Sequence, residues 1–304
     1  MFPAHRLLLS VTVGTGCLVA ANAAAAPIEY IGSSGNWNTS ANWSAGTIPD
    51  AVDADPFLDH DPLNDGAVTI NVDGDFDLRS FTVNFAGSAA NNAPVILGDP
   101  GGASSLTFTD GGTVRFDTSF NRNGTNLQLA IDVNFQTLNL ESGNRNSGTG
   151  QTARGIVLAD GTFAGDTLNA NGTVTFDGSA TYDIGTFVGT GNVTTEFLGS
   201  SVDLSETAFL LSYNGTGPTA AKRSFIGADT TLGSLTIDEV GVGAIAPGVY
   251  TALNADTVPL AGGGTVNLND FFVFDGSASL TVVPEPGTMA FASLGLLVAL
   301  RRIR

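Results

Sequence analysis

The feature that most constrains this 304-residue chain is a run in which apolar residues occupy every second position. Leu127, Leu129, Ile131, Val133 and Phe135 alternate with small or polar residues. Successive side chains of an extended strand point to opposite faces, so the pattern predicts a strand with one buried face. Shorter runs with Asp-Gly and Asn-Gly turn signals between them repeat this pattern, and no helical stripe occurs between residues 27 and 283. The body is therefore predicted to be all-β.

A recurring hexapeptide bears on how the predicted strands are arranged. Gly112 to Asp117 (GTVRFD) recurs as Gly172 to Asp177 (GTVTFD), and loosely as Gly264 to Asn269 (GTVNLN). The first two copies are about 60 residues apart, which equals three turns of roughly 20 residues in a solenoid. This spacing favours a right-handed parallel β-helix, a β-solenoid. An antiparallel β-sandwich is the alternative, because regular turn signals are equally expected there.

The charge of the chain excludes one class of partner. The formal net charge is −18 at pH 7, and Lys222 is the only lysine. Such a surface repels phosphate backbones, so no nucleic acid is expected as a partner. The single cysteine, Cys17, lies near the N-terminus. An exported form that has lost that segment would contain no disulfide.

The N-terminal residues predict export. Arg6 precedes a mostly apolar run from Leu7 to Val19, and the small residues 21–26 offer cleavage sites. This is the order of parts in a secretory signal peptide, predicted for residues 1–25, and it implies passage through the Sec machinery.

The C-terminal residues have a second, different order of parts. Pro284, Glu285 and Pro286 form a rigid tripeptide, because the prolines remove backbone donors and keep the segment extended. An apolar run follows, which as a helix from Gly287 to Leu300 would span roughly 21 Å, against about 30 Å of hydrocarbon core. The chain then ends in a basic stop made of Arg301, Arg302 and Arg304. A span this short indicates a transient membrane segment, with the arginines kept in the cytoplasm.

This tail resembles the PEP-CTERM sorting signal of Gram-negative bacteria, which is also catalogued as the ice-binding protein C-terminal domain. The resemblance implies that exosortase recognises the motif at Pro284, Glu285 and Pro286 and removes the tail at the inner membrane. The protein would then pass to the cell surface or the extracellular matrix. The catalogue name alone is no evidence of ice binding. A flat threonine ladder could imply ice binding, but the threonine spacing in this chain is irregular.

The segment after the signal peptide carries another resemblance. Gly35, Trp37, Trp43, Gly46 and Pro49 follow the G-x-W, N-W, G, P order. This order resembles the opening of exported β-helical proteins, including autotransporter-like and PEP-CTERM proteins. In those relatives the tryptophans cover the open end of the first rung. A sugar-stacking platform is the functional alternative, since indole faces also suit carbohydrate rings.

These features give a predicted domain organisation. The segments are a signal peptide (1–25), an N-terminal cap with the tryptophan motif and an acidic insertion (26–70), a β-solenoid body (71–240), a C-terminal β region (241–283) and the sorting signal (284–304).

Catalytic residues are scarce. With the signal peptide removed, His60 is the only histidine, and it is expected in a loop rich in Asp and Pro, so a Ser-His-Asp triad is not expected. Polysaccharide lyases on β-helices resemble this architecture and use acidic residues with Ca²⁺ plus a basic residue, for which the candidates are Arg115, Arg122, Arg145 and Arg154. No pattern singles one of them out. The protein is therefore expected not to be an enzyme and to require no cofactor.

Calcium is the one metal that the sequence suggests. Six aspartates lie between Asp50 and Asp65, and no lysine or arginine occurs between Arg6 and Arg79. Oxygen ligands without a nearby cation suit a hard divalent ion. The predicted Ca²⁺ ligands are Asp53, Asp55, Asp59 and Asp61. A solvated acidic loop is the alternative.

The sequence thus favours an exported, non-catalytic protein of the surface or of an exopolysaccharide (biofilm) matrix. Two other functions stay open, a glycan-binding adhesin and a polysaccharide lyase or hydrolase. An aromatic groove on the solenoid would favour the first, and a pair of Asp residues beside an Arg would favour the second.

Overall fold

The computed structural model describes residues 28–60, 66–85, 94–118, 126–142, 155–191, 193–213, 218, 223–239 and 241–284. The signal peptide predicted for residues 1–25 lies outside the described residues. Two large sheets dominate these ranges, together with one two-stranded hairpin and two short 3-10 turns, Ser40–Asn42 and Leu268–Asp270.

The chain alternates between the two large sheets. The first sheet contains β1 (Ile28–Glu29), β3 (Pro56–His60), β5 (Asp75–Phe85), β7 (Ser105–Thr118), β9 (Asp132–Ser142), β11 (Thr162–Asn171), β13 (Thr181–Thr190), β15 (Ser201–Ser212), β17 (Asp229–Asp238), β18 (Gly243–Ala244), β19 (Gly248–Tyr250) and β23 (Leu280–Val282). The second contains β2 (Gly35–Asn36), β4 (Val68–Asn71), β6 (Val95–Gly98), β8 (Asn126–Ala130), β10 (Gly155–Leu158), β12 (Thr173–Asp177), β14 (Thr194–Leu198), β16 (Ser224–Ile226) and β22 (Phe272–Phe274). The hairpin is β20 (Val258–Pro259) and β21 (Thr265–Val266).

Parallel pairing along each sheet makes this fold a parallel β-helix. From β1 to β17, each strand of the first sheet pairs in parallel with the strand one turn later, and the second sheet does the same from β2 to β22. Within the described residues, antiparallel strand pairs occur near the C-terminal end, and one isolated antiparallel bridge joins Tyr30 to Trp43 at the N-terminal end. The predicted β-helix is therefore confirmed, and the antiparallel sandwich is wrong.

The long apolar alternation bends around a corner. Leu127 and Leu129 are buried in β8, whereas Val133 and Phe135 are buried in β9 of the other sheet, with Ile131 buried between them. The prediction of one continuous strand was therefore wrong, although the buried face was right. An extended chain can keep its inward alternation while turning from one wall of a solenoid to the next.

The long strands of the first sheet bend once more in their middle. The register between β5 and β7 changes from Leu78 to Ser80, and the register between β7 and β9 changes from Phe108 to Gly112. Such bulges bend a strand, so each long strand has two halves. Gly112 fits the bend because a Cβ there would lie 2.8 Å from the Thr109 carbonyl oxygen.

The turns of the β-helix differ in length, and some are longer than the repeat suggested. A turn takes 30 residues from Asp75 to Ser105 and 21 residues from Thr175 to Glu196. The copies of the hexapeptide are not equivalent either: the first lies in β7 of one sheet, the second in β12 of the other, and the third enters the hairpin at β21. The repeat therefore reflects similar strand composition, and the reasoning from three equal turns was wrong.

The core is a column of stacked apolar side chains. Phe176 lies parallel to Phe197 at 5.5 Å between ring centroids, and Phe187 stacks on Phe209 at 4.3 Å. Toward the C-terminal end the buried side chains include a polar group formed by Thr195, Tyr213 and Ser224. The Thr195 hydroxyl donates to Ser224 Oγ at 2.7 Å. Burial raises the pKa of Tyr213 to about 12, although a hydrogen bond with Ser224 lowers it in part.

Candidate sorting exit and surface cleft

The sorting segment leaves the β-helix directly from its last strand. β23 lies inside the first sheet, parallel to β17 on one side and antiparallel to β19 on the other. The Val283 N–H donates to the Leu232 carbonyl at 3.0 Å, and the next residue, Pro284, is exposed. Glu285, Pro286 and the basic stop at Arg301, Arg302 and Arg304 lie outside the described residues.

Within the described ranges there is no helix long and apolar enough to cross a membrane. The apolar run that follows Gly287 falls outside those ranges.

The tryptophan motif closes the N-terminal end of the core. Trp37 and Trp43 are fully buried, meet edge to face at 4.8 Å between ring centroids, and pack with Tyr30, which lies 5.1 Å from Trp43. The Trp43 indole N–H donates to the Trp37 carbonyl at 2.7 Å, and the Trp37 indole N–H donates to the Pro49 carbonyl at 3.2 Å. The two rings thus lie inside the core, in the segment where the cap was predicted. A sugar-stacking platform is wrong for these two rings, because a buried indole has no free face.

Part of the acidic insertion forms a strand. Pro56–His60 forms β3, whose Pro56, Leu58 and His60 side chains are buried while Asp59 points outward. This strand pairs with β5 and belongs to the first complete turn of the β-helix. Placing His60 in a loop was therefore wrong: its imidazole is fully buried in the core wall.

The predicted calcium ligands do not share one described site. Arg79 donates through its guanidinium to both Asp55 oxygens, and the Ser80 hydroxyl donates to Asp55 at 2.7 Å. The hydrogen bond from Arg79 is the main reason why the pKa of Asp55 lies below its ordinary value, against partial burial.

The other three predicted ligands differ in their surroundings. Asp59 accepts from the Asn84 amide at 2.9 Å, Asp53 is exposed in a turn, and Asp61 lies outside the described residues. Within the described ranges no group of three or more His, Cys, Asp or Glu side chains is arranged to hold a metal. Neighbouring turns thus supply Asp55 with a cation that the linear sequence places far from it. The calcium site stays a prediction.

A polar cleft lies on the second half of the long strands. It has a volume of about 290 Å³ and is lined by Arg115, Phe116, Asp117, Glu141, Ser142 and Asn171. Arg115, Glu141 and Asn171 occupy one register position on three successive turns, since Arg115 pairs with Glu141 and Glu141 with Asn171. Parallel stacking therefore assembles the cleft from residues far apart in the sequence.

An ion pair fixes the centre of the cleft. Arg115 Nε donates to Glu141 Oε2 at 2.8 Å, and Nη2 contacts the same oxygen. Ser142 is held by the turn above, because its hydroxyl donates to the Thr173 carbonyl at 2.8 Å and accepts from the Thr173 N–H at 2.7 Å. The cleft thus presents a carboxylate, a guanidinium and an amide on a rigid wall. Arg115 was among the sequence candidates, whereas Arg122, Arg145 and Arg154 lie outside the described residues.

Beside the cleft, an asparagine ladder stiffens the same wall. The Asn169 amide donates to the Asn139 side-chain oxygen at 3.0 Å, and the Asn139 amide donates to the Gly111 and Gly112 carbonyls at 3.0 and 3.1 Å. Stacked amides satisfy one another on successive turns, so they hold adjacent strands in register. Sequence reasoning missed both the ladder and the acidic members of the cleft, because only the register brings them together.

The comparisons with known proteins identify the tail. The sequence profile described as "PEP-CTERM protein-sorting motif" matches residues 282–304. The chain carries a PEP-CTERM sorting motif. This motif indicates an exported protein of Gram-negative bacteria that exosortase recognises and processes. The comparisons with curated proteins and with solved structures gave no significant match.

Proposed function

We propose that this protein is a non-catalytic component of the cell surface or of an exopolysaccharide matrix, delivered there after exosortase has removed its tail. The sorting motif carries the proposal, because this export signal starts within β23 and is therefore joined directly to a rigid, elongated body. Stacked turns give a long, repetitive surface, which suits multiple weak contacts with a matrix. The tail is expected to pass through the inner membrane only during export.

The experiment that tests this proposal follows the tail. The full chain is expressed in a host that contains exosortase, and the exported form is analysed by intact-mass spectrometry. We expect it to lack Arg301, Arg302 and Arg304. Replacing Glu285 with alanine is expected to leave the protein in the inner membrane, whereas Asp256→Ala, an exposed change elsewhere, should not. Recovery of an intact C-terminal peptide from the exported material would contradict the proposal.

The polar cleft favours one more specific function, glycan binding. Carboxylate, guanidinium and amide groups on a fixed wall match the alternating donors and acceptors of sugar hydroxyls. Arg115 and Asn171 supply donors, while Asp117, Glu141 and Asn171 supply acceptors. Because Asp117 and Glu141 outnumber Arg115 in charge, a neutral glycan suits the cleft better than a uronate-rich one. Binding is favoured over catalysis because the Glu141 carboxylate is already held by Arg115.

Affinity electrophoresis tests glycan binding. The exported form is run through gels that contain soluble neutral dextran or, as the anionic probe, alginate. We expect dextran to retard the unmodified protein. If Asp117→Asn and Glu141→Gln weaken this retardation by about tenfold or more, the result would support a cleft that binds neutral glycans. Thr190→Ala, an exposed change on the same wall, is the matched control. Equal mobility of all variants in both gels, or depolymerisation of either glycan, would contradict it.

A further inference from the structure

We infer that β23 controls how fast the sorting tail is cut, so that processing requires the last strand of the β-helix to open locally. The inference rests on the proposed processing and adds a regulatory step to it. Its basis is an overlap: the sorting motif begins at residue 282, and Val282 is also the last residue of β23. The export signal and the fold therefore share residues, with no linker between them.

β23 is held on both sides. Leu280, Thr281 and Val282 pair with Thr230, Thr231 and Leu232 of β17, and with Tyr250, Val249 and Gly248 of β19. Leu280 is fully buried and Val282 is 3% exposed, so both side chains belong to the core. The Val283 N–H extends the pairing by one residue. Pro284 is thus the first residue of the motif that the fold leaves exposed.

The start of β23 is fixed as firmly as its end. The Ser279 N–H and hydroxyl both donate to Asp229 Oδ1, at 3.0 and 2.8 Å, and the Thr230 N–H donates to the Ser279 carbonyl at 2.8 Å. β19 depends on β23 in turn, because β23 is its only strand partner in the described part of the chain. Opening β23 therefore also frees β19.

A processing enzyme binds its substrate as an extended peptide and needs several free residues around the bond that it cuts. On the body side of the motif this fold offers only Pro284 before the chain enters the sheet. Cleavage hydrolyses one peptide bond: the hydroxyl of a water molecule adds to the acyl carbon, and the departing amine gains the proton. β23 takes no part in this chemistry. It sets the fraction of time for which the upstream residues are free, and cleavage of a locally opened state follows that fraction.

The test lengthens the connection without changing β23. Gly-Ser-Gly-Ser is inserted between Val283 and Pro284 of the full chain, and cleavage is followed by pulse-chase in cells that contain exosortase. The control insertion places the same four residues between Gly262 and Gly263, where an added Cβ would meet no atom within 4 Å. We expect the linker to speed cleavage by about tenfold or more and the control insertion to leave the rate unchanged.

A second variant reaches the same step from the fold. Leu280→Ala lies outside the matched motif and weakens only the strand, so it should also speed cleavage. If this variant fails to fold, the linker variant still decides. A linker variant that is cut no faster than the unmodified chain would overturn the control by β23 while leaving the proposed processing intact. If no form of the chain is cut, the processing itself fails, and this inference fails with it.

Discussion

The two ends of the β-helix are closed in different ways. At the N-terminal end, Trp37, Trp43 and Tyr30 form a packed aromatic plug. At the C-terminal end, the closing elements are two short strands, β19 and β23, and the second of these runs into the sorting motif. A plug of side chains closes its end without depending on any later processing. A closing strand that doubles as the start of a signal ties the stability of its end to the handling of the tail.

The largest expected effect is at the plug. Trp37→Ala should lower the free energy of unfolding by about 3–5 kcal/mol, because it leaves a large cavity beside Trp43 and Phe81. Urea unfolding followed by circular dichroism measures it. Leu253→Ala, at a side chain that is 95% exposed, is the control and should change the free energy little. A loss below about 1 kcal/mol for Trp37→Ala would mean that the plug does not carry the N-terminal end.

A smaller and more local effect is expected at the closing strand. Leu280→Ala should cost about 2 kcal/mol, near the low end for a buried leucine, because β19, the outer neighbour of β23, is only three residues long. Hydrogen exchange should show lost protection at Tyr250 and Thr281, with unchanged protection at Val83 in β5. Uniform loss across all three amides would show that the C-terminal end does not open as a separate unit.

A still smaller effect concerns the ion pair between Asp55 and Arg79. The folded pKa of Asp55 is depressed, so its contribution to stability is complete above its unfolded pKa of about 4 and is lost as the pH falls through the folded value. Asp55→Asn should therefore cost less than about 1 kcal/mol at pH 7 and flatten the fall in stability below about pH 4. Thermal melts between pH 2 and 7 test it, with Asp117→Asn as the control. Parallel curves for Asp55→Asn and the unmodified protein would contradict the assignment.

The smallest effect is expected from calcium at the same end. A Ca²⁺ ion at Asp53, Asp55, Asp59 and Asp61 would have to compete with Arg79 for Asp55, so millimolar Ca²⁺ should raise the melting temperature only slightly. Magnesium at equal ionic strength is the control for screening. Equal shifts with the two ions would mean that these aspartates bind no calcium specifically.

Local sequence patterns were enough to predict much of this fold, but they did not predict which residues pair between successive turns. Alternation such as that of Val68 and Ile70 revealed strands, and Trp37 and Trp43 revealed a cap, because both depend on neighbouring residues. The pairing of Arg115 with Glu141 depends on the length of each turn, which varies with insertions that leave no local signal. Repeat counting failed for the same reason. The sorting motif was predictable because its parts are contiguous.

Both tryptophans of the chain lie in the N-terminal plug, and this has a practical consequence. Indole emission reports on one end of the molecule alone, whereas far-ultraviolet circular dichroism averages over all its turns. In a solenoid whose turns contact only their neighbours, the two signals need not change together. A fluorescence melt would therefore register the fraying of the first turns as if the whole protein had unfolded, and would stay silent while the other end opens.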